Sequence, residues 1–149
     1  MGIDVNAPAE LVFGLARDPY RWPALLPHYV RARAIARDGD QVTGEFVART
    51  PLIPVLGLSL PVAWRSRTWA EPEVLHLRFH HLAGATRGMD VTWRFEPTTR
   101  GCRVTIEHDF RPRIRLWAVV VDRWFIQPIG NRTLRTFKVL AEAIAPPPP

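Results

Sequence analysis

Two side chains in this sequence stand where proton chemistry could be done. His108 lies between Ile106 and Phe110 at alternate positions of an apolar run. In a strand it would face a core, where loss of water keeps an imidazole neutral and able to act as acid or base near pH 7. The plainer and commoner reading is a core histidine satisfied by its neighbours. Tyr29 opens a strand after Pro27 and His28. Its phenol could donate to a carbonyl or enolate oxygen in a pocket, or serve only as a core tyrosine whose hydroxyl reaches water or backbone. His76, His80 and His81 do not have metal-ligand spacing: His76 and His80 share a strand face with Arg78 between them, and no carboxylate stands as a third ligand. Cys102 is the sole cysteine, which excludes an internal disulfide framework and a multi-cysteine zinc set. Neither a metal nor a cofactor is expected.

The elements that must position these groups follow from periodicity. Ile3 to Val5 reads as a short strand, and Asn6-Ala7-Pro8-Ala9-Glu10 as a helix start, with proline in the first turn and an acidic residue at the positive end of the helix dipole. A second short helix or turn is expected from Asp18 to Leu26, stopped by Pro27. The period then becomes two. Strands are expected over Tyr29 to Arg37, Gln41 to Arg49, Leu60 to Ala70, Val74 to Leu82, Arg87 to Glu96 and Cys102 to Phe110. Met89, Val91, Trp93 and Phe95 share one face of their strand, and Val104, Ile106, His108 and Phe110 one face of theirs. Trp93, mid-strand, is the tryptophan most naturally placed in a cavity; Trp64, Trp69, Trp117 and Trp124 are further candidates or plain core.

Arg115 to Ala145 reads as one long helix. Ile126, Ile129, Thr133, Phe137, Leu140 and Ile144 form its apolar stripe. Pro128 has no N–H for the carbonyl of Trp124, so a kink or break is expected there. About 45 Å of helix at ~1.5 Å per residue is too long to bury inside one domain, so it must lie across a sheet. The whole is an α+β fold: an antiparallel sheet with one wet face, closed over a long C-terminal helix. Residues 1–145 would form a single domain, followed by a proline tail at 146–149.

A net charge of +6 invites a nucleic-acid reading. The arginines fall at alternate strand positions, as in Arg31 and Arg33 or Arg65 and Arg67, and no nucleic-acid motif is present, so a solvated sheet face is the better account. No export signal or membrane span is read, and a reducing cytoplasm fits the single cysteine. The apolar loop from Thr50 to Ser59 is expected to fold over a cavity mouth or against a partner. The apolar residues from Trp117 to Phe125 could pair two subunits in a homodimer or touch a membrane surface peripherally.

The opening Val5-Asn6-Ala7-Pro8-Ala9-Glu10-Leu11-Val12-Phe13, the segment from Trp22 to Tyr29 and the closing amphipathic helix together resemble the START-like helix-grip superfamily. Within it the chain is most similar to the polyketide cyclase/aromatase and dehydrase branch, near the coenzyme Q-binding proteins. The resemblance implies a seven-stranded antiparallel curved sheet gripping the C-terminal helix, two short helices after the first strand, and a hydrophobic cavity between sheet and helix. It implies a ligand that is a polyketide, quinone or lipid. In the family's cyclases a tyrosine, a strand arginine and a polar helix residue orient a poly-keto chain. Tyr29 matches the tyrosine; Thr68 stands at the arginine's place in Trp64-Arg65-Ser66-Arg67-Thr68, and Thr133 roughly at the helix asparagine's. Tyr29 and His108 are then the catalytic candidates, and Thr68, Met89, Val91, Trp93, Phe95, Thr133 and Phe137 the ligand contacts. Two functions stay open: a cofactor-free cyclase or dehydrase, and a non-catalytic carrier of a lipid or quinone.

Overall fold

In a computed structural model, which describes residues 1–53, 56–112 and 114–145, seven strands form one antiparallel sheet. They are β1 (Gly2–Val5), β2 (Tyr29–Asp38), β3 (Gln41–Ile53), β4 (Leu58–Glu71), β5 (His76–Gly84), β6 (Asp90–Thr98) and β7 (Gly101–Asp109). The order across the sheet is β1-β7-β6-β5-β4-β3-β2, so the first two strands lie at opposite edges. The chain between them crosses one face of the sheet as α1 (Ala9–Ala16), a 3₁₀ turn (Pro19–Arg21) and α2 (Trp22–Leu25). Pro8 precedes α1, where a missing N–H costs nothing.

Strand alternation sets the core. Leu77 and Phe79, Val91, Trp93 and Phe95, and Val104 and Ile106 are all buried, while the intervening Arg78, Thr92, Arg94, Arg103 and Glu107 face outward, half-buried or exposed. Ion pairs such as Arg33–Glu45–Arg65 and Arg94–Glu107 decorate the outer face. Register shifts in the β2–β3, β3–β4 and β4–β5 pairings help curl the sheet. Two glycines permit close approaches. Gly101 has φ +142°, and a Cβ there would strike the Val5 carbonyl oxygen; at Gly44 it would strike the ring of Tyr20, which lies in the notch.

The C-terminal helix comprises α3 (Arg115–Val121), one π-helical turn (Asp122–Ile126) and α4 (Gln127–Ile144). The irregularity expected at Pro128 therefore lies in the turn before it. Proline leaves the Trp124 carbonyl without a helical N–H, and the buried Thr50 hydroxyl of β3 donates to that oxygen at 2.7 Å. The buried face of α4 is Thr133, Leu134, Phe137 and Ala141. Ile144, expected on the stripe, is 57% exposed. It points away from the core, against which Ala141 and Ala145 on either side of it still pack.

The expected loop from Thr50 to Ser59 is a hairpin arm, because β3 continues to Ile53 and β4 begins at Leu58. Leu56, Leu58 and Leu60 are exposed rather than tucked over the core. The side chains of Leu52, Ile53 and Val55, and the proline tail at 146–149, lie outside the described residues. Ile114, Leu116, Trp117, Val119 and Trp124 are exposed. No described helix is long and apolar enough to cross a membrane.

Candidate functional site

Between the inward side chains of the sheet and the helical stretch from Phe125 to Thr133 lies a cavity of about 90 Å³. Sheet residues Trp64, Phe79, Met89, Val91, Trp93 and Ile106 form one side, and Phe125, Ile126 and Ile129 the other. Among the described residues, its polar side chains besides the indoles are Tyr29, His81, Thr86, His108 and Thr133, with no arginine, lysine or carboxylate in the lining. Val62, Trp64, His108, Phe125 and Ile129 are only partly covered and so mark the mouth.

Trp22, from α2, organises the wall. Its indole N–H donates to the Ala16 carbonyl at 3.0 Å, fixing a ring that meets Tyr29 edge-on at 5.1 Å and Trp93 at 5.4 Å. Tyr29 is buried, and burial pushes its phenol up, with the Thr133 hydroxyl pulling weakly the other way. The phenol therefore keeps its proton at neutral pH and can only donate or accept as a neutral group.

Thr133 donates to the Ile129 carbonyl at 2.8 Å and lies 2.8 Å from Nε2 of His28. With its one proton committed, the hydroxyl must accept from Nε2–H, which assigns the His28 tautomer. His28 is held near pKa 4, first by burial and then by the Arg132 charge. On the far wall, Nδ1 of His81 lies 2.6 Å from the Thr86 hydroxyl. Burial, then His108 and His80, lower His81 to about 3. Burial, followed by the amine of Met1, lowers His108 to about 4, and its imidazole makes no hydrogen bond among the described residues. All three rings are neutral at pH 7. The Cys102 thiol is buried and pushed up to about 11, chiefly by burial, which makes it a poor nucleophile.

Of the site residues read from sequence, Tyr29, Met89, Val91, Trp93, His108 and Thr133 converge on this cavity. Thr68, Phe95 and Phe137 sit elsewhere. The Thr68 hydroxyl bonds the Val42 carbonyl and the Tyr20 hydroxyl, each at 3.1 Å, because Tyr20 folds over that end of the sheet. Phe95 stacks beside Trp93 against Phe13, and Phe137 meets Trp93 and Trp22 edge-on, so both support the wall from behind. Trp22, Phe79, His81 and Thr86 were missed by sequence reading. For Phe79 and His81 the signal was parity: His81 follows Leu77 and Phe79 at period two, on the face opposite His76 and His80, whereas Trp22 in α2 and Thr86 between β5 and β6 carry no such signal.

A curved seven-stranded antiparallel sheet closed on a long C-terminal helix, with short helices after the first strand, is the START-like helix-grip fold. The chain belongs to the polyketide cyclase/dehydrase and lipid transport family, whose model matches residues 1–142. A protein of Streptomyces cyaneus assigned as a polyketide cyclase is 28% identical over 109 residues, covering 72% of this chain and 68% of its own. The Zhui aromatase/cyclase of Streptomyces sp. R1128 shares the fold with a TM-score of 0.73 at 18% identity, over 95% of this chain and 91% of its own. A START superfamily protein of Mycobacterium smegmatis superposes with a TM-score of 0.59 at 12% identity, over 94% and 96%.

Proposed function

We propose that the chain binds an uncharged hydrophobic small molecule in the cavity between sheet and helix and acts on it in the manner of a polyketide cyclase or dehydrase. The observation that carries this reading is the lining itself: aromatic and aliphatic walls, neutral hydrogen-bonding groups at a few points, and, among the described residues, no formal charge to match a carboxylate or phosphate. Tyr29 would donate to a carbonyl oxygen and stabilise the enolate that forms. His108, neutral and free of a partner among the described residues, would take the proton released from the adjacent carbon. Thr133 would position the chain, and the walls would exclude water. The cavity is smaller than the ~150 Å³ apolar cavity that takes up benzene, so a multi-ring ligand would have to extend through the mouth or move its walls. The apolar face of β4, running outward from Val62 through the exposed Leu60 and Leu58, offers the approach.

The test is turnover of a linear 1,3,5-triketone followed by the ultraviolet absorbance of the aromatised product. Tyr29→Phe and His108→Ala should each slow formation about 100-fold or more, within the range of one general acid–base group, while Val91→Trp should abolish binding. A second reading, a non-catalytic carrier, is favoured by Thr68 at the arginine's place. Tight binding of the triketone with no acceleration by the wild-type protein would establish it instead.

A further inference from the structure

We propose that His81, oriented by Thr86, presents an Nε2–H donor to the cavity, and that the ligand it serves carries an uncharged carbonyl oxygen. This rests on the reading above and adds a binding residue and a ligand chemistry to it. The imidazole is fixed from several sides. The His81 backbone N–H donates to the Met89 carbonyl at 2.9 Å, and the His81 carbonyl accepts from Gly88 N–H at 2.8 Å. The ring lies parallel to the Trp64 indole, 3° between planes and 6.0 Å between centres.

Counting donors leaves the pair one proton over. Thr86, buried like His81 and also on the cavity lining, has no side-chain partner other than His81 among the described residues. If Nδ1 carries the hydrogen, the spare proton is the Thr86 hydroxyl's; if the hydroxyl donates to Nδ1, it is the Nε2–H, and this second arrangement is the one proposed. With Nδ1 tied to Thr86 and the ring on the cavity wall, Nε2 is the nitrogen left to the cavity. A donor facing apolar walls lacks an acceptor until a ligand brings one. Tyr29 is a second neutral donor on the same cavity, and no cation among the described residues lines it, so the acceptor that matches these donors is a carbonyl rather than a carboxylate or phosphate.

The experiment compares acetophenone with ethylbenzene, which differ in the carbonyl oxygen, and reads nitrogen-15 shifts of the histidine rings. His81 should give the Nε2–H pattern in the free protein. Acetophenone should bind more tightly than ethylbenzene, and its carbonyl stretch should fall in frequency on binding. His81→Phe should weaken acetophenone about threefold to tenfold and return the stretch upward, with ethylbenzene unaffected; His81→Gln, which keeps an N–H donor, should retain part of the shift. Thr86→Val should move His81 towards a mixture of tautomers, an effect that simple loss of packing would not produce. An Nδ1–H pattern in the free protein, or a carbonyl stretch indifferent to His81→Phe while both compounds still bind, overturns the proposal and leaves the cavity reading intact. Failure of both compounds to bind overturns the cavity reading, and this one with it.

Discussion

A phenol buried beside an apolar cavity has one proton to give and, among the described residues, no charge on the lining to draw it off. On this account Tyr29 acts as a neutral donor, so Tyr29→Phe should lower the affinity for acetophenone about threefold to tenfold and leave that for ethylbenzene unchanged, as isothermal titration would read. An equal loss for both compounds would mean the ring is only packing. Strand parity was enough to bring Met89, Val91 and Trp93 to the cavity lining, and a motif position brought Tyr29 there. Thr68 lies off that lining, because strand parity places a side chain on the inner face without saying what else competes for it. There Tyr20, from a turn 48 residues away in the chain, takes the hydroxyl. His81 was legible by the same parity that placed Phe79, but its bond to Thr86 depends on a tight connection whose geometry no local pattern encodes.

The C-terminal helix carries its irregularity for an identifiable reason. Pro128 orphans the Trp124 carbonyl, and Thr50 supplies the missing hydrogen from the sheet. Thr50→Val should therefore destabilise the protein by about 1–3 kcal/mol in urea titrations, the cost of a buried acceptor left unpaired. In a Pro128→Ala background, where a helical N–H becomes available, the same change should cost distinctly less; strict additivity would contradict the link. The notch at Gly44 is a second constraint between elements. Gly44→Ala should displace Tyr20 and cost about 1–3 kcal/mol, the range for overpacking, whereas no such loss would mean the ring has room to shift. Element types and order were legible because period two and the helical stripe persist over long stretches. Element ends were not. The hairpin arm beyond Arg49 is held by cross-strand pairing to β4, from Thr50↔Leu60 to Ile53↔Leu58, which composition alone reads as a loop.

For the molecule as a whole, three histidines folded in neutral form link stability to pH. Each has a folded pKa below its ordinary 6.5: about 4 for His28, about 3 for His81 and about 4 for His108. The unfolded chain therefore binds more protons below pH 6.5. Their contribution is whole above that pH and is lost as pH falls through 6.5 towards the folded values. For the buried His28 and His81 the loss is at most about 1.4 kcal/mol per pH unit each. Urea midpoints should fall between pH 6.5 and 4.5, before the carboxylates titrate; a flat profile there would mean these rings are charged or solvated in the fold. The seven-stranded sheet and its grip on the helix were foreseeable, because two large apolar surfaces in one chain must cover each other. The volume between them was not, since it is set by how Trp22 packs on Trp93 and how Tyr29 packs between Trp22 and Trp64.

A hydrophobic ligand in that volume would be registered by one of the two methionines. Met89 lies on the cavity wall, and Met1 packs where a side chain at position 130 would otherwise sit. In protein labelled with carbon-13 at the methionine methyls, titration with 1-tetralone should shift the Met89 signal saturably, and Val91→Trp should abolish the shift. A Met89 signal that stays fixed at saturating tetralone, or that moves equally in Val91→Trp, would contradict the account.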